Sequence, residues 1–227
     1  MDKILVITGG TSGLGLELVK AAIEKGYYVC NLARNREKMT ALDEQFTSNY
    51  KGFTGDISDE GFVKNSIAEI AASGTIVCLI NCAAKACFKP AAQYSAEDFD
   101  ATFAGVKGMV LCTTEVLKAT NESNVKIVNI MSSAALKGNK KESLYCASKW
   151  GERGYTESLK AEYKGTSVKI MGVYPGGMNT GFWSDSRDYV LEEKSNSFMD
   201  PKDVAKVIID NISFDGLDVA DITIERR

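Results

Sequence analysis

Thr8-Gly9-Gly10-Thr11-Ser12-Gly13-Leu14-Gly15 runs from the end of one apolar stretch, Ile4 to Thr8, straight into an amphipathic helical pattern, Leu14 to Glu24. Glycines there let a turn be tight and let the backbone approach a pyrophosphate, which then rests on the positive N-terminus of the following helix. Standing alone, such a turn is a weak signal. Between the first strand and first helix of a parallel sheet it reads as a dinucleotide site, so the fold depends on whether the rest of the chain supplies that sheet.

Short apolar runs alternate with longer helical patterns to the end of the chain. Tyr28 to Ala33 is followed by Glu37 to Phe46, Gly52 to Asp56 by Gly61 to Ala72, and Ile76 to Asn81 by Ala96 to Thr120. Val125 to Met131 precedes Leu144 to Tyr163, Val168 to Tyr174 precedes Pro201 to Ile212, and Val219 to Ile224 comes last. Strands separated by helices imply right-handed crossovers and a sheet covered on both faces. The pattern predicts a doubly wound, Rossmann-type α/β fold: a parallel sheet of about seven strands with helices on both faces. No repeat, low-complexity tract or proline-rich linker marks a boundary, so residues 1–227 read as one domain. Irregular stretches at 83–95, 132–143 and 176–199 each follow the C-terminal end of a strand, where open parallel sheets bind ligands.

Composition narrows the chemistry. With 44% apolar and 25% charged residues, the chain can bury a substantial core. A net charge of -3 without a long basic run argues against nucleic acid as a partner. MDKILVITGG reaches its glycines too soon for a signal peptide, and no apolar stretch approaches the roughly 20 residues of a membrane helix. A cytoplasmic protein without a membrane partner is expected. Cys30, Cys78, Cys82, Cys87, Cys112 and Cys146 include no CxxC pair and read as reduced, mostly buried thiols. The chain has no histidine, which removes histidine triads, histidine metal sites and histidine bases; no metal site is expected. Proton transfer near neutral pH then falls to Tyr, Lys, Cys or a shifted carboxylate.

Tyr145 and Lys149 lie one turn apart on the face of a strong helical pattern. A free tyrosine titrates near about 10 and is a poor base at neutral pH. A lysine ammonium beside it would favour the phenolate and lower that value.

The spacing Gly9-x-x-x-Gly13-x-Gly15, together with Tyr145-Cys146-Ala147-Ser148-Lys149, resembles the short-chain dehydrogenase/reductase family, and the resemblance spans nearly the whole chain. It implies that Gly9, Thr11, Ser12, Gly13, Leu14 and Gly15 hold the cofactor phosphates. At the end of the second strand, where an NAD enzyme places an acid, this chain has Ala33 and Arg34. The small residue leaves room for a 2′-phosphate and the guanidinium would pair with it, so NADP(H) is the expected cofactor. The lesser alternative is an ordinary surface Arg34 that pairs with Glu37 or Glu24.

Asp56-Ile57 closes the third strand, where similar enzymes hold the adenine. Asn81-Cys82-Ala83-Ala84 closes the fourth, matching the family's Asn-Asn-Ala-Gly with two substitutions. Asn81 and Ala83 are therefore cofactor candidates, with Asn81 also readable as a structural turn residue. Ser132 ends the fifth strand at the family's distance from Tyr145, and for that reason is chosen over Ser133. By resemblance, Ser132 polarises the substrate oxygen, Tyr145 transfers the proton, and Lys149 grips the nicotinamide ribose. Pro175-Gly176-Gly177-Met178-Asn179-Thr180 matches the family's PGxxxT. It places the backbone near Met178 on the carboxamide and Thr180 on the phosphates. One residue departs from the pattern: Gly105-Val106-Lys107-Gly108 stands where relatives carry an asparagine that holds a relay water.

The expected function is thus an NADP(H)-dependent oxidoreductase that interconverts a small carbonyl and an alcohol. Segment 176–199 is the expected substrate loop. Its Met178, Phe182, Trp183, Tyr189, Leu191 and Phe198 form either a partly aromatic pocket or an amphipathic lid. Lys137, Lys140 and Lys141 either attract an acidic substrate or belong to a solvated loop. A ketone, an aldehyde, a 3-oxoacyl thioester or a sugar would all suit. One competing reading is a non-catalytic NADP(H) sensor, motivated by Gly105 and the altered 81–84 segment. Another is an epimerase or dehydratase, whose relatives have a larger C-terminal substrate domain than follows Pro175 here. The resemblance also implies a homodimer or homotetramer built on Ala96 to Thr120 and Leu144 to Tyr163.

Overall fold

A computed structural model describes residues 3–182, 198–212 and 217–226. Its seven strands form one sheet, parallel throughout. In chain order they are β1 (Lys3–Thr8), β2 (Tyr28–Ala33), β3 (Tyr50–Thr54), β4 (Thr75–Asn81), β5 (Lys126–Ile130), β6 (Lys169–Pro175) and β7 (Asp221–Ile224). The helices are α1 (Gly13–Glu24), α2 (Arg36–Gln45), α3 (Glu60–Ser73), α4 (Ala96–Ala119), α5 (Ser143–Glu162) and α6 (Pro201–Ile212). The spatial order is β3-β2-β1-β4-β5-β6-β7. The chain winds one way from β1 and the other way from β4, and a crevice opens between their C-terminal ends.

Alternation along the strands sorts the core into two layers. On β1, Leu5 and Ile7 join Leu14, Leu18 and Val19 of α1, Met39 and Leu42 of α2, and Val204, Ile208 and Ile209 of α6. Ile4 and Val6 point the other way, to Val63 and Ile67 of α3, Cys112 and Val116 of α4 and Leu159 of α5. Period-2 side chains on a sheet buried on both sides require this division. It also explains why the strands read as continuous apolar runs.

The third strand differs from its expected limits. It spans Tyr50–Thr54 rather than 52–56, because Tyr50 is paired with Val29 and its buried ring receives a 2.8 Å hydrogen bond from Asn31. The chain then leaves the sheet at Gly55, whose N–H donates to the Ala33 carbonyl at 3.1 Å. Asp56 and Ile57 follow the strand instead of closing it.

Several helix starts are fixed locally. Asn35 accepts from Lys38 N–H, Asp59 from Phe62 N–H, and Ser95 forms a capping box with Asp98. At α1 the N-cap is Ser12, whose side chain makes no cap bond, and the first turn holds no acid. Its N–H groups are left facing the crevice.

Candidate active site

The crevice is a cleft of about 960 Å³ at the C-terminal ends of the strands. Gly9, Thr11, Ser12, Gly13, Leu14 and Gly15 form one wall. Gly9 has φ +78°, and a side chain there would come within 2.8 Å of the Ala83 Cα. Gly13 has φ +52°, and a Cβ on it would lie 3.3 Å from the Cβ of Thr180. Two segments read separately as phosphate-binding therefore meet, although they are far apart in sequence. With the uncapped start of α1 behind them, they fit an anionic diphosphate.

Residues that the motifs did not reveal hold this wall in place. Asn31, fully buried in β2, accepts the Gly10 N–H at 2.9 Å on Oδ1 while its amide donates to Tyr50. Thr8 accepts the N–H groups of Cys82 and Ala83 at 3.0 and 3.1 Å, tying the end of β1 to the end of β4. A polar residue inside the apolar run Tyr28–Ala33 is the signal that could have identified Asn31.

Arg34 and Asp56 line the far end of the cleft, with Ile57 beside them. Arg34 is exposed and makes no ion pair among the described residues, neither with Glu37 nor with Glu24. Asp56 accepts from the Ser58 N–H at 2.9 Å and its hydroxyl at 2.8 Å. The backbone hydrogen bond from Ser58 chiefly holds its carboxyl below the usual range, and the Arg34 charge adds to the effect. Ile57 is buried against Gly108. Ala83, Pro175, Gly176, Met178 and Thr180 also line the cleft. Asn81 does not: it is buried, and its amide donates to Asn129 at 2.9 Å and to Thr113 at 3.1 Å. As the last residue of β4 it ties the strand to β5 and α4 through its side chain instead of lining the cleft, and it is not in a turn.

Ser132, Tyr145 and Lys149 come together on the floor of the cleft. Ser132 is the N-cap of a single 3₁₀ turn, Ser133–Ala135, and its hydroxyl accepts from the Ala134 N–H at 3.1 Å. Tyr145, in the first turn of α5, is 6% exposed. Its ring packs edge-on against Phe88 with centroids 5.4 Å apart and against Phe182 at 5.8 Å. Lys149 lies below it, the ammonium 5.8 Å from the ring centroid.

The Lys149 charge acts on the phenol in the direction expected from sequence, but burial outweighs it. Burial pushes the Tyr145 hydroxyl above its ordinary pKa, opposed by the Lys149 charge and a hydrogen bond with Ser132; Glu152 and Glu142 push it further up. Glu152 was not singled out from the sequence. Its carboxylate holds the Lys149 Nζ at 2.8 and 3.0 Å, with both side chains almost wholly buried. Burial works against the Lys149 charge, yet Glu152 and Tyr145 hold it above the usual lysine value. The i,i+3 spacing was visible; the burial was not.

Gly105 lines the cleft beside this pair, and a Cβ built there would lie 3.2 Å from the Ala83 carbonyl oxygen and 4.0 Å from Glu152 Oε1. Phe182 and Phe198 also line the cleft, as do Lys85, Lys137, Lys140 and Glu142. Met178 and Met199 form a parallel bridge: Asn179 N–H donates to Met199 O at 2.9 Å, and Met199 N–H to Gly177 O at 3.0 Å. Trp183, Tyr189 and Leu191 lie outside the described residues. No helix among those described is long and apolar enough to cross a membrane.

Comparison with known proteins gives one family. The short chain dehydrogenase family model matches residues 3–190. D-threitol dehydrogenase of Mycolicibacterium smegmatis is 32% identical over 179 residues, 76% of this chain and 69% of that protein. Sepiapterin reductase of Chlorobaculum tepidum is 30% identical over 222 residues, covering 92% and 89%. The solved structure of ElxO with NADP bound superposes with a TM-score of 0.88 at 27% identity, over 99% of this chain and 98% of that one.

Proposed function

Because the chain belongs to the short-chain dehydrogenase family, we propose that it is an NADP(H)-dependent oxidoreductase that interconverts a small carbonyl and the corresponding alcohol, with Tyr145 as general acid and base. The observation that carries this reading is the meeting of Ser132, Tyr145 and Lys149 on the floor of a cleft whose far end is the glycine turn and Arg34.

When bound, the nicotinamide supplies or takes up the hydride at the substrate carbon. Gly9, Thr11, Ser12, Gly13, Leu14, Gly15 and Thr180 would hold the diphosphate, and Arg34 would take the 2′-phosphate. Asp56 and Ile57 would hold the adenine. The backbone from Pro175 and Gly176 to Met178 would bind the carboxamide, and Ala83 would add to the cofactor wall. In reduction, Ser132 donates a hydrogen bond to the carbonyl oxygen and Tyr145 gives it a proton; in oxidation the phenolate takes the proton back. Lys149 holds the ribose and stabilises the phenolate, so no histidine is needed. NADP is named for ElxO and fits the exposed guanidinium beside Ala33.

The whole chain would act as one catalytic unit, with Phe182 and Phe198 facing a substrate from the 176–199 loop. Its six unpaired cysteines suit the reducing cytoplasm. Exposed Phe99 on α4 and Trp150 on α5, about half accessible each, fit burial in a homodimer or homotetramer; sedimentation as a monomer at micromolar concentration would exclude it.

The test is NADPH consumption over a panel of ketones, aldehydes, sugars and 3-oxoacyl thioesters, with Tyr145→Phe run in parallel. Turnover that falls at least about 100-fold in the variant, with NADPH binding retained, is expected. Tight NADPH binding without turnover on any member would favour the sensor.

A further inference from the structure

We propose that Glu152 is the positioning residue of this site: its carboxylate clamps the Lys149 ammonium one helical turn below Tyr145 and offsets its charge, so that Tyr145 rests as the neutral phenol, ready to give up its proton. The inference rests on Tyr145 being the proton carrier.

The geometry carries it. An ammonium has three donors. Two are taken by Glu152 Oε2 at 2.8 Å and Oε1 at 3.0 Å, and the Ile130 carbonyl accepts the third at 3.5 Å. Lys149 is therefore fixed from below, and a ribose hydroxyl would have only the long contact to Ile130 to displace. Both members of the pair are 2% exposed, out of reach of screening solvent. An isolated charge at that depth would be released as a proton or would draw out the tyrosine proton.

Glu152 itself is held by α5: its backbone carbonyl accepts from the Thr156 hydroxyl at 2.7 Å, and that hydroxyl accepts from Asn129 at 2.9 Å. On the cleft side, Gly105 has no side chain to compete for the carboxylate.

The charged and titratable groups facing Tyr145 and Lys149 can be named element by element. Lys149 and Glu152 come from α5, Glu142 from its N-cap, Ser132 from the N-cap of the 3₁₀ turn after β5, and Cys82 from the residue after β4. Lys149 and Ser132 favour the phenolate; Glu152 and Glu142 oppose it. Burial is the largest influence and holds the phenol neutral; removing Glu152 leaves the Lys149 charge, which draws the other way, opposed by burial and Glu142 alone. The site is thereby poised for carbonyl reduction, in which Tyr145 must begin protonated.

The experiment labels the tyrosine ring carbons with carbon-13 and follows the Tyr145 phenol carbon by NMR against pH, assigned with Tyr145→Phe. It needs no substrate, so its result is independent of whether turnover is found. In Glu152→Gln the Tyr145 midpoint is expected to fall by about one pH unit or more, or to enter the observable range if the unaltered protein unfolds first. Equal midpoints would overturn the proposal, as would no titration in either protein before unfolding. Should Glu152→Gln not fold, Glu152→Asp withdraws the carboxylate by one methylene and should move the midpoint in the same direction by less; an unmoved midpoint there is equally decisive.

Discussion

Replacing Arg34 with Ala should convert a cofactor preference into near indifference. The guanidinium stands exposed at the rim of the cleft, unpaired among the described residues, with the small Ala33 before it. A hydrogen bond to a charged group contributes about 1.5–3 kcal/mol, and solvent screening at an exposed position argues for the lower part of that range. About 1.5–2 kcal/mol corresponds to a 10- to 30-fold weaker Kd for NADPH. NADH has no 2′-phosphate, so its Kd should change less than about twofold. Nicotinamide fluorescence titrations of both cofactors against both proteins would measure this, repeated at low and high salt. The preference for NADPH should shrink as salt rises in the unaltered protein and be insensitive to salt in the variant. Arg34→Lys, which keeps the charge without the planar fork, should fall between them. Equal loss of NADPH and NADH would refute the reasoning, because it would mean that Arg34 supports the turn and does not read the phosphate.

Gly105→Asn crowds the Ala83 carbonyl, 3.2 Å from the new Cβ, and should destabilise the protein by about 1 kcal/mol in urea melts. At saturating substrate its rate should be unchanged or raised; a collapse of rate in a folded variant would show that the small residue is itself required. Asn31→Ala leaves the Gly10 N–H and the Tyr50 hydroxyl without their buried partner. It should cost about 1–3 kcal/mol of stability and weaken NADPH, with kcat nearly unchanged at saturating cofactor. An unmoved unfolding midpoint would remove Asn31 from the support of the turn.

The sheet was legible because β1, β2, β4, β5 and β6 are largely apolar runs and the helices between them keep their period. The candidate site was legible where its residues lie in compact motifs, as at 9–15, 145–149 and 175–180. Pairings across space were not. Thr47 to Lys51 has the composition of a turn, so the start of β3 was missed; Tyr50 belongs to the sheet because Asn31 and Phe46 enclose its ring. Glu152 carried no signal, since a charge three residues from a lysine on a helix usually faces solvent. Only its 2% exposure separates it from such a pair.

The bridge between Met178 and Met199 joins the two ends of the intervening segment at one point beside the cleft. Insertions or replacements between those ends need not move Tyr145 or the glycine turn, and each doubling of such a loop adds only about 0.6 kcal/mol of closure entropy. Under the proposed function, what the protein acts on could therefore be exchanged as a cassette, independently of how the proton is transferred.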